Sequence, residues 1–157
     1  MIRIATKNDV PTLVEWMLNL VLHVQVSSSD PYVLALEEGY ENKFAPWFIK
    51  TMDSENSVVY MAEDNNIPVG FVFGKITEPF MSLSKIKAIG QIELCWVETR
   101  YRKQGIATKL VRELESWFKK KNIEYVDLQY LVGNVEAENS WVHLGYKPYR
   151  IAARKKI

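Results

Sequence analysis

Residues 97–107 read Val-Glu-Thr-Arg-Tyr-Arg-Lys-Gln-Gly-Ile-Ala and join an apolar run to an amphipathic one. Where such a segment opens a helix, the first amides have no intrahelical acceptor and point outward with the positive end of the dipole. Gly105 and Ala107 carry almost no side chain, so a pyrophosphate can approach that backbone closely. Arg100, Arg102 and Lys103 add positive charge at the same place. The same residues also fit a basic strand-to-helix turn whose glycine serves only its own backbone angles. Neither G-x-x-x-x-G-K-[ST] nor G-x-G-x-x-G occurs, which leaves a general nucleotide-binding reading with little support.

Just upstream, Glu93 is a carboxylate inside the otherwise apolar residues 92–97. A carboxylate there can take a proton from a reacting group. It can equally face water or pair with an arginine, because strand alternation alone does not say which face is a cleft. Glu98, at the strand's end, is the weaker substitute. Cys95 is the single cysteine, so no internal disulfide is possible, and its apolar strand points to a buried thiol rather than a nucleophile. The two histidines, His23 and His143, have no Cys, His or carboxylate partners at metal-ligand spacing, and no metal is expected. His143 reads as a helix-surface residue, and His23 as a substrate-contact candidate near the polar loop 27–31.

The elements that must position these groups follow from hydrophobic spacing. Residues 2–5 read as a short strand. Thr6 opens a helix whose apolar face is Val10, Leu13, Val14, Met17, Leu20, Val21 and Val24, and residues 27–31 end it. Residues 32–53 read as helical, with a kink or a division expected at Pro46. Two strands, 57–63 and 67–77, flank Asp64-Asn65-Asn66, a hairpin signal. After a loop over 78–87 comes a strand at 88–97 and then a helix at 105–121, whose stripe is Ala107, Leu110, Val111, Leu114, Trp117 and Phe118. A strand at 123–131, a helix at 134–144 closed by Gly145 and a last strand at 146–153 complete the chain. The order β α α β β β α β α β predicts an α/β fold with a mixed sheet and helices on both faces. Residues 1–157 contain no linker long enough to divide them, and a single domain is expected.

Composition removes several classes. Charges nearly cancel, with a formal net charge of +1, and the densest basic run, Lys119 to Lys121, ends a helix where cations complement the dipole. No nucleic-acid partner is expected. No stretch is long and apolar enough for a membrane span, and the amino terminus does not read as a signal peptide, so no membrane partner and a cytoplasmic location are expected.

Against this background the sequence resembles the GNAT superfamily of acetyltransferases. Arg102-Lys-Gln-Gly105-Ile-Ala107 matches the acyl-CoA signature Q/R-x-x-G-x-G/A, between the expected strand and helix. Asn134-Val-Glu-Ala137 through Ser140-Trp141-Val-His-Leu-Gly145-Tyr146 is similar to the family's N-x-x-A-x-x-x-[YW]-x-x-x-G-[FY] block. The resemblance implies a central sheet with a V-shaped splay, in which acetyl-CoA lies as cosubstrate. It implies that the backbone amides of Arg102, Lys103, Gln104, Gly105, Ile106, Ala107 and Thr108 hold the pyrophosphate. Backbone groups of Cys95, Trp96 and Val97 would pair with the pantetheine arm like an added strand, and Asn134 would hydrogen-bond the cofactor.

The implied reaction moves an acetyl group to an amine by direct attack in a ternary complex. A lysine-like amine has a pKa of ~10.4, so about one in a few thousand is neutral at pH 7, and a positioned base is valuable. Glu93 is the expected base, and the Val97 N–H the expected donor to the carbonyl oxygen. Trp141 stands where many members carry a tyrosine that protonates the leaving thiolate. An indole cannot serve as that acid, so Trp141 is expected to pack under the cofactor and no general acid is assigned. Acceptor walls in this fold would come from Tyr32, Tyr40, Phe44, Trp47, Phe80 and Met81 with Glu37, Glu38, Glu41 and Glu78. That set suits a cationic amine, of a small molecule or a protein, or is simply core aromatics beside a solvated acidic face. Two other readings are a non-catalytic acyl-CoA binder or sensor of the same fold, and an interaction module without CoA affinity. Many relatives form homodimers, and no residue here decides that.

Overall fold

A computed structural model describes residues 1–28 and 30–157. Five strands form one sheet: β1 (Ile2–Ile4), β2 (Ser57–Asp64), β3 (Ile67–Thr77), β4 (Ile89–Val97) and β5 (Val126–Leu128), in that spatial order. Neighbours pair antiparallel except β4 and β5, which are parallel and joined by a helical crossover. The helices are α1 (Val10–Ser27), α2 (Pro31–Leu34), α3 (Phe44–Met52), α4 (Ile106–Lys120) and α5 (Val135–His143).

The β2–β3 hairpin closes through Asn65 and Asn66, both at positive φ (49° and 64°). Asparagine tolerates that conformation, and its twist suits a two-residue hairpin. The apolar stripe of α4 buries Leu110, Val111, Leu114 and Phe118 on one face of the sheet. Gly74 and Gly90 make that approach possible, since a Cβ at either would meet Leu114 or Phe118 at under 3 Å. Helices α1 and α3 cover the other face, where Leu13, Trp16 and Phe48 pack on Val59, Met61, Phe71 and Phe73. Helices thus lie on both faces of a mixed sheet, as the element order predicts.

Arg3 of β1 ties the start of α1 to the sheet. Its guanidinium forks onto both Asp9 oxygens at 2.8 Å and reaches Glu63 at 2.7 Å. The Asp9 carboxylate also accepts from the Thr6 N–H and hydroxyl. With Arg3 as the main cause, the Asp9 pKa falls to about 2.

Three expectations are corrected. Residues 32–53 are not one helix bent at Pro46: the break falls at residues 35–39, where Gly39 takes φ +69°, and Pro46 sits in the first turn of α3, where a missing amide costs nothing. The strand expected over 123–131 shrinks to β5, because pairing with β4 ends at Ile92–Leu128. The strand expected over 146–153 does not form. Pro148 lacks an amide for a ladder, and side-chain contacts hold this tail instead. Tyr149 donates to Asp127, Arg150 lies over the Phe80 ring, and Arg154 meets Asp30 at 2.6 Å and the Tyr32 ring at 4.2 Å.

Candidate active site

Pairing between β4 and β5 covers only Gly90–Ile92, yet β4 runs on to Val97. From residue 93 onward the β5-side edge of β4 is open, and this is the splay of the sheet. The Glu98 N–H donates to the Val69 carbonyl at 2.9 Å. Antiparallel alternation therefore turns the backbone groups of Glu98, Trp96 and Leu94 toward β3, and those of Val97 and Cys95 into the gap. An added extended chain would meet Cys95 and Val97. Trp96 narrows the expectation: its amide and carbonyl turn toward β3, and its indole packs in the α1–α3 core.

At the end of β4 the chain makes one 3₁₀ turn (Thr99–Tyr101) and enters the loop before α4. The Arg102 N–H already donates to the Thr99 carbonyl at 3.3 Å. The first amide of α4 with an intrahelical acceptor is that of Lys109, to Gly105 at 3.1 Å. Between them the amides of Lys103, Gln104, Gly105, Ile106, Ala107 and Thr108 have no acceptor among the described residues. Gly105 takes φ +75°, and the space its absent Cβ would occupy is empty to 4 Å. Amides without acceptors, an open approach and the neighbouring Arg100 and Lys103 fit the demands of a pyrophosphate.

Glu93 occupies a distinct place in the ladder. Phe73 pairs with Leu94 and Gly74 with Ile92, so Glu93 is the extra residue of a β-bulge. The bulge resets the alternation: Ile92, Cys95 and Val97 face the α4 core, and Leu94 and Trp96 the α1–α3 core. The Glu93 carboxylate meets Lys75 Nζ at 2.6 Å. Phe73 packs under α3 and Gly74 faces α4, so Lys75 and its partner lie on the α1–α3 side of the sheet. One carboxylate oxygen is held by the ammonium. Glu98 accepts from the Trp16 indole and is engaged in the core of that face.

The other expected residues fall around this gap. The Cys95 backbone lines the open edge while its thiol packs against the α4 core, where burial pushes its pKa up to about 12 and disfavours the nucleophilic thiolate. Asn134 caps α5, its Oδ1 accepting from the Ala137 N–H at 3.1 Å, and its side-chain NH₂ has no acceptor among the described residues. Trp141 stacks edge-on against Tyr146 over the α4 core. The Tyr146 hydroxyl donates to Glu115 at 2.8 Å, and burial first, then that carboxylate, pushes its pKa up, so it is no ready proton donor. His23 meets the Trp96 ring edge-on, and the buried Trp96 Nε1 has no partner among the described residues. His143 is exposed, and no cluster of metal-ligating residues occurs among the described residues.

The acceptor-side aromatics divide. Trp47 packs on Phe48 and Phe73, and Tyr40 on Phe44, in the α1–α3 layer. Tyr32, Phe80 and Met81 are exposed, the first two beneath arginines of the tail. Glu37 pairs with Lys43, while Glu38, Glu41 and Glu78 face solvent. Sequence reasoning missed Lys75, Trp16 and the tail arginines. Lys75 was visible as a lone charge in an apolar strand, and Trp16 as the residue one turn beyond Leu13. Nothing in the spacing announced the tail contacts.

A five-stranded mixed sheet that splays beside a free-amide loop defines an acyl-CoA-type transferase fold. The chain belongs to the GNAT acetyltransferase family, whose model matches residues 23–146. A search of the curated proteins finds no match. Among solved structures it is similar to the aminoglycoside 6'-N-acetyltransferase AAC(6')-Ig from Acinetobacter haemolyticus, at 16% identity and TM-score 0.76, over 100% of this chain and 99% of that one. It is similar to a tetramutant of the BH1408 protein from Bacillus halodurans, at 15% identity and TM-score 0.86, over 100% and 99%. It is also similar to AAC(6')-Iy bound to the bisubstrate analog CoA-S-monomethyl-acetylneamine, at 13% identity and TM-score 0.79, over 100% and 97%. At such identities the likeness is one of fold. Among the described residues no helix is long and apolar enough to cross a membrane.

Proposed function

We propose that the chain transfers the acetyl group of acetyl-CoA to an amine of a small molecule or a protein, by direct attack in a ternary complex. The observation that carries this reading is the open edge of β4, with free amides at its loop end and a bulged carboxylate at its other end. Acetyl-CoA supplies the thioester carbonyl. The amides of residues 103–108 hold its pyrophosphate, Cys95 and Val97 pair with its extended arm, and the Asn134 NH₂ donates to it from the other arm of the splay. Glu93 takes the proton of the attacking amine on the oxygen that Lys75 leaves free.

An arm that starts at the loop passes Val97 before Cys95. Of the two N–H groups turned into the gap, that of Cys95 is two residues from Glu93 and that of Val97 four. The Cys95 N–H is therefore the better-placed donor to the carbonyl oxygen, and Val97 serves the arm. Free thiols have a pKa of ~8.5, so the departing thiolate is a fair leaving group without a dedicated acid.

A thermal melt with excess acetyl-CoA, with CoA and ATP as controls, tests the donor site. At about 100 times Kd, a ligand that binds only the native state adds ~2.7 kcal/mol, a shift of roughly 5–10 °C for this size. A shift with both CoA forms and none with ATP supports the reading, and no shift at millimolar ligand refutes it. Trp141 in place of a tyrosine keeps a second reading in play, a non-catalytic acyl-CoA sensor. It predicts the same shift and no turnover with any amine.

A further inference from the structure

Arg102 uses its side chain in a way that its place in a basic loop does not suggest. Its Nε donates to the Val97 carbonyl at 3.0 Å, and its guanidinium lies over the Trp96 ring, 4.9 Å from the centroid. A third direction leads to Glu136, with Nη1 3.6 Å from the carboxylate. The side chain is 27% exposed, whereas Arg100 and Lys103 stand in solvent. Val97 and Trp96 end β4, one arm of the splay. Glu136 lies in the first turn of α5, which follows β5, the other arm. One planar fork thus touches the end of β4 and the first turn of the helix that follows β5, a geometry a lysine cannot reproduce. The Val97 carbonyl is also one of the backbone groups turned into the gap. With it engaged, an incoming chain finds the Val97 N–H and both groups of Cys95.

We propose that Arg102 is a positioning residue: it straps the arms of the splay together and sets the register in which the pantetheine arm pairs with β4. Anion binding is left to the loop amides with Arg100 and Lys103. This rests on the reading of the gap as an acyl-CoA site. An arm that cannot use the Val97 carbonyl starts its pairing at the Val97 N–H and continues at Cys95, which brings the acyl end beside Glu93.

The test compares acetyl-CoA with S-acetylpantetheine, which keeps the arm and thioester but has no pyrophosphate. Affinities and KM are measured for Arg102→Lys, Arg102→Met, Glu136→Gln and the Arg102→Met/Glu136→Gln pair, with ligand-free melts to check folding. A strap predicts that Arg102→Lys and Arg102→Met weaken both ligands by a similar factor, about tenfold, the equivalent of one charge-assisted hydrogen bond. KM rises more than kcat falls. Glu136→Gln, which leaves the loop intact, weakens both ligands less, and the double variant is no worse than Arg102→Met alone. Arg102 is a phosphate ligand instead, and the proposal is overturned, if Arg102→Lys binds like the wild type or if only acetyl-CoA is weakened. Unchanged affinity for both ligands overturns it as well. A wild-type chain that binds neither ligand overturns the reading of the gap itself, before any variant is compared.

Discussion

The open edge of β4 and the face that carries Glu93, the donor and acceptor halves of the site proposed above, are built in opposite ways. Along the edge and the loop beyond it, six consecutive amides, Lys103 through Thr108, and the N–H of Val97 have no acceptor among the described residues. On the proposed acceptor side several polar groups and rings are already partnered within the chain. Glu93 holds Lys75, Asp30 holds Arg154, Asp127 accepts from Tyr149, and Arg150 covers Phe80. A backbone seat is specified by conformation and tolerates varied side chains. A seat built of side-chain pairs is specified by which residues happen to meet. The donor half can therefore be read across a whole family, while the acceptor half belongs to the individual chain.

The largest expected effect separates the two halves outright. Glu93→Gln keeps the shape of the bulge and removes the proton acceptor. Loss of a positioned base predicts a kcat lower by about 10²–10³-fold, with acetyl-CoA affinity unchanged. Steady-state rates beside a binding isotherm read both quantities. Wild-type turnover in this variant would move the base elsewhere, and a fallen affinity would place Glu93 in the donor half.

The frame beneath both halves comes next. Asp9 ionises more readily in the fold than in the unfolded chain, its pKa falling from 3.8 to about 2. Its contribution is fully present above the unfolded value and is lost as pH falls through the folded one. For a carboxylate this buried, the shift corresponds to about 2 kcal/mol at neutral pH. Urea unfolding of wild type and Asp9→Asn at pH 7, 4 and 2 should show a gap of that order at pH 7, shrinking through pH 4 and nearly closed at pH 2. A gap independent of pH would mean that the amide variant fails through packing, and that the Arg3 fork contributes nothing electrostatic.

Much of the structure in the proposed donor half was legible because it is local. Gly105, the turn before α4 and the helix that begins at Asn134 are all fixed within a few residues of sequence. The α4 stripe and the Asn65-Asn66 turn were legible for the same reason. What escaped depends on partners far along the chain. Whether residues 123–131 and 146–153 form strands is decided by what lies beside them, and β4 accompanies only Val126 to Leu128. The identity of the partner of Glu93 required the register of β3 on β4, including a bulge that no alternation pattern reveals. Trp96 showed the same limit: the resemblance implied a backbone role for it together with Cys95 and Val97, and the Glu98 hydrogen bond to Val69 turns its backbone toward β3 instead.

Gly105 tests how far the donor half is a matter of backbone alone. A Cβ there meets nothing within 4 Å, so substitution costs only the left-handed conformation. Gly105→Val should lose about 1–2 kcal/mol of stability, and Gly105→Asn much less, since asparagine visits that region. If Gly105→Asn keeps its melting temperature but loses the acetyl-CoA shift, the empty space is the approach of the ligand. If both properties survive, the glycine serves only its own angles, and the seat lies further along α4.

Lys75 carries the smallest and most discriminating expectation, because it belongs wholly to the acceptor half. Removing it in Lys75→Met frees the second oxygen of Glu93 and takes away a cation from the face that an amine must approach. The ion pair is partly exposed, and pairs of that kind are worth about 1 kcal/mol or less, so changes of a few-fold are expected. Acetyl-CoA affinity should stay at the wild-type value. Among acceptors, those with a second positive group should gain in kcat/KM relative to those with a nearby carboxylate, which lose the Lys75 ammonium. A panel of monoamines, diamines and amino acids assayed side by side reads that ratio. An unchanged ratio would mean that Lys75 does no more than orient the base, and that acceptor choice is made at the tail-covered wall of Tyr32 and Phe80.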